Sequence, residues 1–292
     1  MMIIDILKEK KNFSSIECSL ADYFLKNPYE LEKRSAREIA KNLYVSASAI
    51  TRFCQKIGYD GYNEFKSAFI SEYSYLNSHF QKIDPNKPFE KDNNHTQVAG
   101  KISSLYQETI NDTHSLIEQH NLETITKLLN ETRIIYITSG GNQINLGKLF
   151  REKMNWIGKA VIVLSTNEAY ESISLPHKDV CYILISYSGE TPLLLKVAKK
   201  LKKTNIKFIA ITSYGQNSLS QLADYTLYVS TRERLTSALG NYCYNISVMY
   251  LLDVLYSCLF QNNYEYNLKT KHMVMKEFQD RRHSDNPIIK DE

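Results

Sequence analysis

Three aliphatic hydroxyls, a glycine, an acid and a proline fall within the seven residues Ser186-Tyr187-Ser188-Gly189-Glu190-Thr191-Pro192. The apolar run Val180-Cys181-Tyr182-Ile183-Leu184-Ile185 precedes them and reads as a buried parallel strand. Residues 193–203 follow and read as a helix. A strand, a small polar loop and a helix with proline in its first turn build an anion cradle. The free N–H groups of that first turn face the ligand, and the helix dipole favours negative charge there. Serine and threonine hydroxyls add further donors. The chemistry this implies is capture of a phosphate carried by a small molecule.

The elements that must hold the cradle follow from the pattern around it. Residues 133–138, 160–164, 180–185, 207–212 and 225–229 are short and rich in β-branched or aromatic side chains, with helical patterns between most of them. Such alternation predicts a five-stranded parallel sheet covered by helices. In these sheets ligands bind outside the carboxyl ends of the strands. The loop Ser139-Gly140-Gly141-Asn142-Gln143 lies at one such end and Ser186 to Thr191 at another, so the two are expected to share one pocket.

A different organisation holds up to about residue 76. Ser35 with Glu38 three residues later forms a capping box. The helix it starts runs to Asn42 or Leu43. Ser46 then caps a second helix, 47–57, that Gly58 stops. Ile39, Ala40, Leu43, Val45, Ile50, Phe53 and Ile57 form the inward faces. This is the spacing of a helix-turn-helix, whose second helix enters the DNA major groove. Its outward face carries Ser46, Ser48, Thr51, Arg52, Gln55 and Lys56. Hydroxyls and amides read base edges, and Arg52 reaches guanine or phosphate. Lys56, Tyr59 and Lys66 suit phosphate contacts. From Lys33 to Lys66 seven basic residues face three acidic ones, an excess as large as the +4 of the whole 292-residue chain.

Residues 77–96 are polar and hold Pro85 and Pro88, the composition of a linker. Residues 97–280 form the second domain, and 281–292 read as a frayed polar tail. The five cysteines, Cys18, Cys54, Cys181, Cys243 and Cys258, make no C-x-x-C pair, which removes support for zinc fingers and redox motifs. Their odd number and the absence of a leader pattern give a reducing cytoplasm as the expected location. The longest apolar stretch, 246–260, is interrupted by Asp253, so no membrane span is expected. No metal and no cofactor is called for.

Two sets of residues resemble a known family. Glu38-Ile39-Ala40, Val45 to Phe53, Lys56-Ile57-Gly58-Tyr59 and Gly61 to Lys66 are similar to the DNA-binding signature of the RpiR family of bacterial regulators. Ile185 to Thr191, Ala210-Ile211-Thr212 and Leu222-Ala223-Asp224-Tyr225 are similar to the sugar isomerase (SIS) domain that follows in those proteins. The resemblance implies an all-α helix-turn-helix domain, 1–76, joined to an α/β SIS domain of the flavodoxin-like, Rossmann-type sandwich class. It implies a regulator of sugar-metabolism genes controlled by a phosphorylated sugar. Ser186, Ser188 and Thr191 would bind the phosphate, Gly189 would let the backbone approach, and Glu190 belongs to the same loop. The family pattern after the first strand, Gly-x-Gly-x-Ser, is here Ser139, Gly141 and Gln143. A longer amide thus replaces a hydroxyl, and either the ligand differs from the usual sugar phosphate or the site has weakened.

Two other readings remain. A sugar-phosphate isomerase needs a general base tuned toward neutral pH; Glu190, Glu152 and His177 are titratable, and none has a catalytic spacing. Glu190 reads as a first-turn acid that stabilises its helix. A regulator whose SIS domain has lost ligand response and serves dimerisation is the other reading. The expected partners are an operator duplex, a sugar phosphate and further copies of the chain, as a homodimer or homotetramer, since helix-turn-helix proteins read two half-sites.

Overall fold

Apolar side chains at helical spacing divide the first 78 residues into six helices, three of them opened by the serine caps Ser14, Ser35 and Ser46. The structure is a computed structural model that describes residues 2–78, 83–175, 179–276 and 288. His177 and, apart from Ile288, the tail at 281–292 lie outside the described residues. The chain splits into two units, Met1–Lys82 and Ile83–Glu292.

The first unit holds α1 (Ile3–Glu9), α2 (Ser15–Lys26), α3 (Pro28–Lys33), α4 (Ala36–Leu43), α5 (Ala47–Lys56) and α6 (Tyr62–Ser78). Leu7, Phe24, Leu31, Ile39, Ile50, Phe53, Phe65 and Phe69 form its core. Phe24 and Phe65 lie 4.9 Å apart between ring centroids, and Phe69 stacks on Phe65 at 5.6 Å. Such offset pairs add about 0.5–1.5 kcal/mol beyond area burial. The buried Glu72 of α6 accepts the N–H groups of Ile3 (2.8 Å) and Ile4 (2.7 Å), satisfying the free donors at the start of α1. Burial raises its carboxyl above the usual range, against those two bonds.

The second unit opens with α7 (His95–Ser115) and α8 (Gln119–Glu131). It continues as β1 (Ile134–Ser139), α9 (Ile144–Asn155), β2 (Ala160–Val163), α10 (Thr166–Ser172), β3 (Val180–Ser186), α11 (Pro192–Lys203), β4 (Phe208–Ser213), α12 (Ser218–Leu222) and β5 (Tyr225–Val229). It closes with α13 (Tyr242–Asn262) and α14 (Tyr264–Lys276). The five strands are parallel in the order β2-β1-β3-β4-β5. Each strand lies within a residue of its expected bounds.

Period-two alternation sends side chains to two cores. Ile135, Ile137, Cys181, Ile183, Ile185, Ile209 and Ile211 pack with α8, α9 and α13. Tyr136, Tyr182, Leu184, Phe208 and Ala210 pack with α10, α11 and α12. Register sets the strand ends level: Ser139 is opposite Ile185, and Ser186 is opposite Thr212. That alignment brings the loops after β1, β3 and β4 to one edge. The order reverses between β1 and β3, the switch point where ligands bind in such sheets.

Two expectations change. The stretch 77–96 is not one linker. Tyr62–Ser78 is continuous helix, and the second unit already begins at Ile83, with Pro85 and Pro88 buried. Prolines and polar residues here make a turn docked on the unit rather than a free chain. The apolar helix is also longer than 246–260: α13 has 21 residues, enough by length and hydropathy to cross a bilayer. Here Val248, Leu251, Leu252, Leu255 and Leu259 lie in the core over the sheet, and Asp253 pairs with Lys153 at 2.6 Å.

Candidate functional site

In the first unit, α4 and α5 form the turn expected from their caps. Ser35 and Glu38 cap each other reciprocally, and Ser46 Oγ accepts the Ala49 N–H at 3.1 Å. Tyr44 supplies the turn in the left-handed region (φ 54) and is 97% exposed. A bulky residue rarely adopts this conformation. No sequence signal marked Tyr44, because glycine or asparagine is the ordinary residue there.

The outward residues of α5 divide by their engagement. Ser48, Arg52 and Gln55 are exposed, but Ser48 Oγ shares a hydrogen bond of 2.9 Å with Ser46 Oγ and Gln55 Nε2 donates to the Asp60 carbonyl at 3.2 Å; Thr51 is half-buried, its hydroxyl donating to the Ala47 carbonyl. Among the described residues, none forms an ion pair with Arg52. Lys56 is exposed but already spent: its ammonium pairs with Glu17 at 2.7 Å and donates to the Asn12 carbonyl at 2.7 Å. The same bond is the main reason the Glu17 carboxyl is lowered. Tyr59 packs edge-on against Phe65 at 5.7 Å. Lys66 reaches back to the Glu32 carbonyl at 3.4 Å.

In the second unit the loops after β1 and β3 meet. A side chain on Gly140 would lie 2.9 Å from Thr191, so this glycine lets the loops touch. Ser186 Oγ and Thr191 Oγ1 share a hydrogen bond of 2.9 Å. Ser188 Oγ accepts the Glu190 N–H at 3.2 Å, and Ser139 Oγ accepts the Gly141 N–H at 3.2 Å. Gly189 has φ +66, and any side chain there would run into the Asn217 amide. Asn217 in turn caps α12 and donates to Thr212 Oγ1 at 3.2 Å. The N-terminal turns of α9 and α11 both open here without a side-chain cap. In α11 the first-turn N–H groups after Pro192 are thus available to an anion, whereas in α9 those of Ile144, Asn145 and Leu146 already donate to the Gly141, Asn142 and Gln143 carbonyls at 3.3, 3.1 and 2.9 Å.

Gln143 occupies the N-cap of α9 and is 7% exposed. Its Nε2 donates to Asn245 Oδ1 of α13 at 2.9 Å, and its Oε1 lies 3.0 Å from where a Gly141 side chain would begin. The amide thus lines the cavity while tied to α13. Glu190 departs from expectation. It precedes α11 rather than sitting in its first turn, and its carboxylate accepts the Ser218 N–H of α12 at 2.7 Å. It stabilises the start of a neighbouring helix, a partner far in sequence that spacing could not reveal.

A cavity of about 160 Å³ lies between these loops, lined by Gly140, Gly141, Gln143, Ser186, Ser188 and Thr191, with Ile185, Tyr187, Leu235 and Tyr244 completing the wall. None of these lining residues is a carboxylate or an imidazole. Glu152 borders a separate groove with Leu149 and Met249. Tyr187, Tyr244 and Leu235 were not singled out from sequence. Tyr187 and Tyr244 lie 4.9 Å apart, and the Tyr187 hydroxyl donates to the Glu233 carbonyl at 2.7 Å. The Glu233 carboxylate accepts the Cys243 and Tyr244 N–H groups at 2.8 and 2.9 Å, capping α13. Burial holds it above the usual carboxyl range. Tyr187 lies 48 positions before Leu235 and 57 before Tyr244, and no local pattern connects it to them.

Comparison with known proteins agrees with this geometry. Residues 1–75 match the model of the helix-turn-helix domain of the rpiR family, and residues 127–255 match that of the SIS domain. The structure is similar to that of Vibrio vulnificus NanR in complex with ManNAc-6P, at 21% identity and a TM-score of 0.59, covering 96% of this chain and 99% of that one. It is also similar to the sugar isomerase domain of an RpiR transcription factor from Sphaerobacter thermophilus, at 13% identity and a TM-score of 0.54, covering 62% and 99%. A proposed sugar-phosphate isomerase from Listeria monocytogenes has the same TM-score at 19% identity, covering 63% and 99%.

Proposed function

From a chain that belongs to the RpiR family, with its helix-turn-helix domain joined to a SIS domain, we propose a DNA-binding transcriptional regulator of sugar-metabolism genes whose operator affinity is set by a phosphorylated sugar. The observation that carries this reading is the cavity at the β1/β3 switch point, where the uncapped N-terminus of α11 and the hydroxyls of Ser186, Ser188 and Thr191 converge. Ser139, Gly141, Gln143, Gly189 and Glu190 shape it. The ester's phosphate sits on the loop 186–191, and the sugar lies toward Tyr187, Leu235 and Tyr244. Ser46, Ser48, Thr51, Arg52 and Gln55 read the major groove, with Tyr59, Lys66 and the exposed Tyr44 at the flanking phosphates and Lys56, held by Glu17, adding little there. No enzymatic turnover is proposed, since the lining residues offer no general base.

The regulator works in the cytoplasm as at least a homodimer. Leu149 is 50% exposed and Met249 38%, and they border one groove with Trp156. Light scattering that returns a monomer at micromolar concentration would count against that assembly. NanR, which binds ManNAc-6P, makes acetamido sugar phosphates the first members of a ligand panel.

The test is thermal unfolding against sugar phosphates and their free sugars. A ligand at 100 times its dissociation constant adds roughly 2.7 kcal/mol to the folded state. A midpoint that rises with one ester and not with its free sugar supports the reading. A second reading, a regulator deaf to ligand, draws on the buried Gln143, a long amide on the cavity wall held by Asn245. It requires that no ester moves the midpoint.

A further inference from the structure

The segment that follows the helix-turn-helix unit is tied directly to the wall of the cavity. Asp84 to Lys87 form a turn, with the Lys87 N–H on the Asp84 carbonyl at 3.2 Å and Pro85 at its second position. Asp84 Oδ1 accepts both the backbone N–H (2.9 Å) and the side-chain amide (3.2 Å) of Asn86, which fixes that amide. The bond from the Asn86 N–H is the main reason the Asp84 carboxyl lies below its usual range.

So held, Asn86 makes three bonds to the stretch between β5 and α13. Its Nδ2 donates to the Arg232 carbonyl at 3.2 Å. Its Oδ1 accepts the Arg234 N–H at 2.7 Å. Its own carbonyl accepts the Leu239 N–H at 3.0 Å. Between these anchors stands Leu235, 69% exposed and part of the cavity wall. The neighbouring Glu233 carbonyl holds the hydroxyl of Tyr187, another wall residue. A ligand that packs on Leu235 or shifts Tyr187 therefore acts on peptides one bond away from Asn86. Backbone on both sides of Asn86 must follow, because its main chain and its side chain are both engaged.

We propose that Asn86 is a positioning residue of the ligand cavity, and that its clamp on residues 232–239 carries ligand occupancy to the connector entering the second unit and so to operator affinity. This rests on reading the cavity as the phosphosugar site. Coupling of this kind needs an element that both ligands bias, and residues 83–88 are the part of the second unit that follows the first along the chain and that is hydrogen-bonded to the stretch lining the cavity.

The experiment uses the full chain and a duplex that the wild-type protein selects from a randomised pool, with N-acetylmannosamine 6-phosphate and fructose 6-phosphate as the two probes. Operator affinity is measured with and without each ester, and ester affinity without DNA. In the wild type, one ester changes operator affinity by about 5-fold or more. In Asn86→Ala that ratio falls to within about twofold of unity, while operator affinity without ester stays at the wild-type value. Asn86→Asp keeps an acceptor for Arg234 but loses the donor to Arg232 and sets a second carboxylate against Asp84, so its ratio falls as the alanine variant's does. A purely structural role would lower the unfolding midpoint of the variants and leave the ratio unchanged, and that result overturns the proposal. A wild-type chain with no response to either ester overturns the reading of the cavity, and this coupling with it. Should the alanine variant unfold, Asn86→Ser, which keeps a small polar side chain beside Asp84 while withdrawing the reach to Arg232 and Arg234, provides the same readout.

Discussion

The outer face of α5 and the cradle between β1 and β3 draw on the same side chains, serine, threonine and glutamine, in opposite states. On α5, Ser48, Arg52 and Gln55 are exposed to solvent. In the cradle, Ser139, Ser186 and Gln143 are buried, and they bond the Gly141 N–H, Thr191 Oγ1 and Asn245 Oδ1 in turn. The difference follows from what each surface must meet. A duplex brings a dense row of charge, so an exposed helix with long side chains gains by attraction at a distance, in a salt-dependent way. A single phosphate must be enclosed to be held, so its donors are fixed beforehand by backbone and short hydroxyls. The cradle is thus the fragile half, in which one side chain in the wrong place is not tolerated. The helix face is the adjustable half.

The largest effect is expected at Gly189. Alanine there adopts a left-handed conformation at a cost of about 1–2 kcal/mol and also meets the Asn217 amide. Overpacking of that kind adds about 1–3 kcal/mol. Urea denaturation of Gly189→Ala should show the second unit weakened by about 3 kcal/mol with no ester binding. A variant as stable as the parent would contradict the described loop.

Arg52→Ala is expected to weaken operator binding by about 1–3 kcal/mol and to leave ester affinity unchanged. Undiminished operator binding would remove α5 as the recognition helix. Ser188→Ala is expected to do the reverse. Its lost hydroxyl leaves the Glu190 N–H and the phosphate short of a partner, which weakens ester binding by about 1–2 kcal/mol without changing operator affinity in the absence of ester.

A smaller effect concerns pH. Burial raises the carboxyls of Glu72 and Glu233. The folded chain keeps protons there that the unfolded chain has released, so stability falls as pH rises from the ordinary carboxyl range through the raised values. Glu17, lowered chiefly by Lys56, acts in the other direction: its contribution is lost as pH falls through its folded value. Urea midpoints of the parent and Glu72→Gln across pH 4 to 8 (roughly the span of perturbed carboxyls) should show a flatter profile for the variant. The smallest effect is expected for Lys56→Ala. Its charge is already countered by Glu17, so the salt slope of operator binding should change by well under the ~0.9 of a full phosphate contact.

The sequence was most legible where function is local. The capping box of Ser35 and Glu38, the Ser46 cap and the five strands all depend on neighbours in the chain, and all stand as expected. The loop 186–191 was legible for the same reason. What escaped notice depends on distant partners. Glu190 bonds α12 rather than its own helix, and Gln143 reaches Asn245 a hundred residues on. Leu235 enters the cavity wall from the stretch after β5, and Asn86 turns a linker-like composition into a docked turn. Spacing reports caps, turns and alternation. It is silent on which loops a sheet's register will set side by side.

The most direct test of a ligand-controlled regulator is calorimetric titration of sugar phosphates, with N-acetylmannosamine 6-phosphate among them, into the protein alone and into its complex with operator DNA. The expected result is binding of one ester in both titrations, with affinities that differ by the same factor by which that ester changes operator affinity, as reciprocity demands. Equal ester affinities in the two titrations, or no binding of any ester, would contradict control of the operator through this cavity.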